Sequence, residues 1–148
     1  MKIAIGADHH GFALKDFLQK WISHVGEHSI EWVDYGTYST DRCDYPGFAY
    51  AVARAVQKHE CDLGILICGT GAGMAIAANR LRGIYAAVVW DRDVARAVRE
   101  DDNVNVLVLP ADYIDFCSAR WFVKAWLNGT FKEDRYRKRL EMLEELSR

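Results

Sequence analysis

The sequence predicts an α/β fold, a three-layer α/β/α sandwich around a five-stranded parallel sheet. Two observations predict it. Short β-branched runs alternate with segments whose apolar residues recur every three or four positions, which is the pattern of βαβ units. Glycine and polar clusters follow several of the runs, where such units turn from strand into helix.

The first strand is expected at Lys2–Ala7. A helical stripe of Leu14, Phe17, Leu18, Trp21, Ile22 and Val25 follows, and Gly26 is expected to end it. The second strand is Glu31–Tyr35. Pro46 suits a first helical turn and opens a second helix through Ala49, Val52, Ala53 and Val56 to about His59. Leu63–Cys68 is the third strand, and the glycine cluster behind it leads into a helix whose Ala72, Ala75, Ala77 and Ala78 allow close packing. Ile84–Val89 and Asn105–Leu109 are the fourth and fifth strands, with a helix over Arg92–Glu100 between them. A fifth helix carries Ile114, Cys117, Trp121, Phe122 and Ala125 on one face and stops at Asn128-Gly129. A last helix covers about 130–147. Right-handed crossovers make the sheet Rossmann-like, with ligands bound beyond the carboxyl ends of its strands.

No repeat, linker or low-complexity segment interrupts the 148 residues, so one domain over 1–148 is expected. With 51% hydrophobic and 27% charged residues the chain is ordinary for a globular protein. Nineteen Lys and Arg against 21 Asp and Glu leave a net charge of -2, too little to hold a nucleic acid electrostatically. The apolar runs Leu63–Cys68 and Ile84–Trp90 fall far short of the roughly 20 residues that span a bilayer, so no membrane is expected. Polar residues follow the first strand at once, leaving no room for a signal-peptide apolar region, and a cytoplasmic location is expected. The cysteines at 43, 61, 68 and 117 show no CxxC spacing and are read as reduced thiols. His9 and His10 are adjacent rather than at ligand spacing, so no metal is expected.

Three polar clusters are expected on one rim: Asp8-His9-His10-Gly11, Cys68-Gly69-Thr70-Gly71-Ala72-Gly73, and Glu100-Asp101-Asp102-Asn103. Glycines leave backbone N–H groups unobstructed, and a following helix N-terminus favours an anion, so the second cluster is either an anion cradle or a bare turn. It matches neither GxxxxGK[ST] nor GxGxxG, because Met74 stands where the latter wants glycine. Cys68 ends its strand at this cradle, where a thiol is expected to have a lowered pKa and to serve as base or nucleophile. Cys61 and Cys117 read as buried space-filling thiols. His9 and His10 can meet an anionic ligand or transfer protons; His24, His28 and His59 read as surface residues. Arg135 and Arg139 are i, i+4 neighbours that can grip one phosphate, although the acidic residues around them equally describe a solvated helix face.

Gly6-Ala7-Asp8-His9, Asp44-Tyr45-Pro46, Ile67 to Gly73, Ala77-Ala78-Asn79-Arg80 and Asn105-Val106-Leu107 together closely resemble, across the whole chain, the family of ribose-5-phosphate isomerase B and the galactose-6-phosphate isomerase subunits. The resemblance implies cofactor-independent aldose–ketose isomerisation of a sugar phosphate, in a site formed between the subunits of a homodimer that can build into a tetramer. It implies Cys68 as the base moving a proton between C1 and C2 through a cis-enediolate, with Thr70 of the same loop in the catalytic group. The amides of Gly69, Gly71, Ala72 and Gly73 would hold the enediolate, Asp8 the sugar hydroxyls, His9, Arg135 and Arg139 the phosphate, and Tyr45 would line the pocket. The C-terminal helix would reach across the dimer.

The chain departs from the family pattern where a His-Asn pair, assigned to ring opening and to the enediolate, reads Asp101-Asp102. A phosphate-binding arginine reads Asp112, and a histidine beside the C-terminal arginine reads Tyr136. Asp101 can still act as acid or base if burial or Asp102 raises its pKa. Two readings follow: an isomerase whose substrate differs from ribose 5-phosphate, such as a tetrose phosphate that needs no ring opening, or a non-catalytic, regulatory sugar-phosphate binder.

Overall fold

The computed structural model describes residues 1–146. Its elements are β1 (Lys2–Ala7), α1 (Phe12–Trp21), β2 (His24–Val25), β3 (His28–Ser29), β4 (Glu31–Asp34), α2 (Tyr45–Gln57), β5 (Leu63–Cys68), α3 (Ala72–Ala78), β6 (Ala86–Val88), α4 (Arg92–Asp102), β7 (Val106–Pro110), α5 (Phe116–Asn128) and α6 (Arg135–Leu146). Five strands form one parallel sheet in the order β4-β1-β5-β7-β6. The predicted α/β/α sandwich is present.

Strand alternation sorts the core into two layers. Ile3, Ile5, Ile65, Ile67, Leu107 and Leu109 point to one face, under α1, α4 and α5. Ala4, Leu66, Cys68, Val106 and Val108 point to the other, under α2 and α3. Each fully buried Ile or Leu contributes roughly 1.5–3 kcal/mol. The same alternation aims the Cys68 side chain at the α2–α3 layer.

The chain leaves β1 for the edge strand β4 and then returns across β1 to β5. β1 and β5 are therefore neighbours reached from opposite directions, and the crevice beyond their carboxyl ends is the switch point where open parallel sheets bind ligands. Asp8 follows β1 and Cys68 closes β5, and the Asp8 amide donates to the Ile67 carbonyl at 3.1 Å.

Several boundaries differ from the sequence expectation. The first helix stops at Trp21, and Ile22 and Val25, though buried, belong to the connection behind it. A short antiparallel hairpin, His24–Val25 with His28–Ser29, turns on Gly26, whose φ of +59° is open to glycine at little cost. Strand β6 is shorter than Ile84–Val89, because Tyr85 is held by side-chain bonding to Asn105 instead. Helix α5 begins after Ile114, capped by the Asp115 carboxylate, which accepts from the Ser118 amide at 2.8 Å. Residues 130–134 precede the last helix, with Glu133 and Asp134 at positive φ; residue 147 lies outside the described residues. Helix α4 continues to Asp102, two residues beyond Glu100, and this carries the acidic stretch with it. Among the described residues no helix is long and apolar enough to cross a membrane.

Candidate active site

Cys68 is 5% exposed and sits beneath the loop that joins β5 to α3. The backbone amides of Met74, Gly71 and Thr70 lie around its sulfur and favour its charged form. The loop can wrap the sulfur because Gly71 adopts φ +78°, a left-handed conformation that a β-carbon disfavours; one there would also meet Val88 at 3.0 Å. The Thr70 hydroxyl accepts from the Ala72 amide at 3.2 Å, so Thr70 closes the first turn of α3 and the Ala72 amide is already engaged. The Tyr45 ring packs on Gly73 in the first turn of α3: a β-carbon there would stand 2.5 Å from its Cζ.

Burial decides the state of the thiol. The sequence expectation is a lowered pKa, but desolvation outweighs the three amides and pushes the Cys68 thiol up, with the Asp8 carboxylate adding to the rise. The resting cysteine is therefore a thiol at neutral pH, and its thiolate fraction grows as the pH climbs towards the raised pKa. For a reaction that needs the thiolate, kcat/KM is expected to increase from pH 7 to pH 9, tending to tenfold per unit. A profile flat over that range, measured on wild type, would contradict a thiolate base with a raised pKa.

Asp8 is 6% exposed, and its Oδ1 accepts from the amides of His10 at 2.9 Å and Gly11 at 3.2 Å. One carboxylate oxygen thus shapes the turn after β1. His9 accepts from the Cys43 amide at its Nδ1, 3.3 Å away. In neutral imidazole that leaves the proton on Nε2, a donor suited to an anion. Cys43 had no assigned part in the sequence reading, and only the fold brings it to His9. His10 and Asp112 pair at 3.1 Å over Gly69.

The remaining expected residues lie elsewhere. Asp101 and Asp102 end α4, which runs back from the carboxyl rim to the amino ends of the strands. Asp102 lines a shallow cavity with Tyr85, Val98, Val104 and Leu140, just before β6 and β7 begin. Residues preceding a parallel strand lie at the end opposite those that follow one, and the length of β7 alone sets the separation from Cys68 at more than about 13 Å. The expectation of three clusters on one rim is corrected accordingly. Arg135 and Arg139 share this far end, with their guanidinium groups 5.0 and 5.4 Å from the Tyr136 ring. Asp101 pairs with Lys132 at 2.8 Å. Asp102 has its pKa raised by burial and then by Asp101, while Arg139 opposes the rise. Cys117, expected to be buried, is exposed, whereas Cys61 is buried as expected; His24, His28 and His59 are exposed.

Lys15 escaped the sequence reading because it stands beside the apolar stripe of α1, where a lysine ordinarily reaches solvent. It is 1% exposed, and its ammonium donates to both oxygens of Asp34 at 2.6 and 2.7 Å, with the Tyr38 ring 4.9 Å away. This pair anchors the end of β4 beside the rim.

At a switch point, the thiolate form of a cysteine such as Cys68 can take a proton from carbon while backbone donors of the adjoining glycine loop hold an oxygen that turns negative. That is the chemistry of an aldose–ketose isomerase, and the comparisons place the chain among such enzymes. The chain belongs to the Ribose/Galactose Isomerase family, whose model matches residues 3–143. It is 41% identical over 142 residues to ribose-5-phosphate isomerase B of Escherichia coli, covering 96% of this chain and 93% of that protein. A crystal structure of a ribose 5-phosphate isomerase from Thermotoga maritima superposes with a TM-score of 0.92 at 43% identity, covering 97% of each chain. D-erythrulose-4-phosphate isomerase of Pectobacterium atrosepticum is 35% identical over 133 residues, covering 89% of this chain and 86% of that protein.

Proposed function

We propose that this chain interconverts an aldose phosphate and its ketose by moving a proton between C1 and C2 on Cys68. The observation that carries the proposal is the buried Cys68 sulfur facing the amides of Thr70, Gly71 and Met74. Proton loss next to a carbonyl leaves charge on oxygen, and preorganised donors at such a position contribute roughly 3–4 kcal/mol each in the acyl-transfer case. Asp8 meets the sugar hydroxyls, His9 offers Nε2–H to the phosphate, and Tyr45 closes the side of the pocket. Thr70 acts through its amide and by holding the loop.

The site is completed by a second copy of the chain. Arg135 and Arg139, the expected phosphate ligands, lie beside Asp101 and Asp102 at the amino ends of the strands in their own chain, so a partner related by two-fold symmetry is what brings them to the rim. Helix α6 is built to meet one: of its residues Leu140 alone is buried, while Met142 and Leu146 are 56% and 81% exposed. The working unit is thus one domain per chain, with α6 reaching the neighbour's rim and Asp101 and Asp102 arriving with it.

The substrate follows from those two carboxylates. With Lys132 bound to Asp101, no imidazole stands at the position that the resemblance assigns to ring opening. A tetrose 4-phosphate, whose 4-oxygen is esterified and cannot close a furanose ring, needs none. A panel of tetrose, pentose and hexose phosphates tests this by conversion rates. The tetrose phosphate is expected to turn over fastest, and Asp101→His with Asp102→Asn to raise ribose 5-phosphate turnover at least about tenfold, the low side of what a positioned acid or base supplies. No gain in that variant contradicts the substrate assignment. Ligands that raise the melting temperature without any conversion favour the non-catalytic binder, the reading that the acidic substitutions sustain.

A further inference from the structure

We propose that His10, oriented by Asp112, is a second acid/base of this site and carries the oxygen-bound proton between substrate O2 and O1 while Cys68 carries the carbon-bound one. The inference rests on the isomerase reading above.

The geometry is that of a carboxylate–imidazole dyad. His10 Nδ1 lies 3.1 Å from one Asp112 oxygen and 3.2 Å from the other. A carboxylate at Nδ1 fixes a proton there and leaves Nε2 as the working nitrogen, the logic by which a buried acid orients a catalytic histidine. Both partners are fixed from behind: the His10 amide donates to Asp8 Oδ1 at 2.9 Å, and the Asp112 amide donates to the Gly69 carbonyl at 3.1 Å.

Placement decides what the dyad can reach. A β-carbon on Gly69 would stand 2.7 Å from Asp112 Oδ2 and 3.6 Å from His10 Cγ, so carboxylate and ring both rest on the residue directly after Cys68. Consecutive Cα atoms are about 3.8 Å apart, which puts the dyad over the same loop that holds the sulfur. Both side chains are 46% exposed, so the pair opens towards an entering ligand. A bare carboxylate at Asp112 would repel an enediolate; a hydrogen bond from His10 Nδ1–H offsets part of that charge.

The step balances without any further reactant. In the aldose-to-ketose direction the Cys68 thiolate takes the C2 proton, the C–H electrons form the C1=C2 bond, and the carbonyl π-electrons move to O1. Neutral His10 takes the O2 proton on Nε2 and delivers it to O1, the O2 electrons form the C2=O bond, the enediolate π-electrons take the thiol's proton at C1, and both groups return to their starting states.

The test is steady-state kinetics of wild type, Cys68→Ala, His10→Gln, Asp112→Asn, the His10→Gln/Asp112→Asn double variant and Asp112→Glu, on the sugar phosphate that wild type turns over fastest. His10→Gln is expected to lower kcat about 100-fold with KM within threefold. Asp112→Asn should lose less, the double variant no more than His10→Gln alone, and Asp112→Glu should recover most of the Asp112→Asn loss, because a positioning carboxylate acts only through the imidazole. A His10→Gln loss below tenfold, a loss confined to KM, or single losses that multiply in the double variant overturn the dyad. Such a result leaves the isomerase reading standing as long as Cys68→Ala is inactive; an inactive wild type overturns both.

Discussion

Cys68→Ala is expected to lower kcat by at least about 1000-fold, within the range that positioned proton transfer supplies, while the protein stays folded and still binds sugar phosphate. The side chain is buried on the α2–α3 face, where losing one sulfur atom costs on the order of 1 kcal/mol, so a dead variant with a nearly unchanged melting temperature separates chemistry from folding. Cys68→Ser is expected to be as inactive, because its hydroxyl does not ionise where the thiol does. The amides of Thr70, Gly71 and Met74 remain in both variants and continue to favour a bound anion. Ligand-induced thermal stabilisation should therefore survive. Residual turnover above a tenth of wild type in Cys68→Ala would remove the cysteine from the mechanism.

The second large effect is a rescue. Arg139→Ala is expected to be inactive through loss of a phosphate ligand, and Cys68→Ala through loss of the base. If each site takes Cys68 from one chain and Arg139 from the other, a heterodimer of the two variants holds one intact site and one doubly damaged site. Random pairing makes half of all dimers mixed, so an equal mixture refolded together should recover roughly a quarter of wild-type activity. Sites contained within single chains predict no recovery at all. The assay is turnover of the mixture against each variant refolded alone.

What was legible in the sequence has a common physical origin. β1, β5 and β7 are continuous apolar runs, because a central parallel strand is buried on both faces, and Cys68 could be placed at the end of one by counting. Pro46 marked the start of α2 to within a residue. The errors arose where a local pattern carried two meanings. Ile22 and Val25 fit a helical period yet stand beyond the helix, buried in the main core, with Val25 in the small hairpin at Gly26. Cys117 falls in α5 among apolar neighbours but points outward. The acidic stretch reads as a third polar cluster of the carboxyl rim because it stands next to a strand, yet it precedes that strand and therefore lies at the amino end. The thiol's raised pKa was hidden because burial is not written in a motif.

Long-range pairs were beyond reach for a different reason. His10 and Asp112 are 102 residues apart in the chain, and only the adjacency of β1, β5 and β7 brings them together over Gly69. Lys15 and Asp34 meet likewise because α1 and β4 flank β1, and a lysine so fully buried has no signature in composition or periodicity. Each pair joins segments that only the order β4-β1-β5-β7 brings together, so strand order is the information a single sequence lacked.

The most direct measurement is proton NMR in deuterated water of tetrose, pentose and hexose phosphates incubated with wild type and with Cys68→Ala. Transfer of a proton between C1 and C2 by a group that exchanges with solvent must write deuterium into the product carbon. The account predicts interconversion of one substrate class with deuterium at C1 or C2 under wild type, and neither conversion nor exchange under Cys68→Ala. Exchange that persists in Cys68→Ala, or wild type that binds every member of the panel and exchanges none, would contradict it.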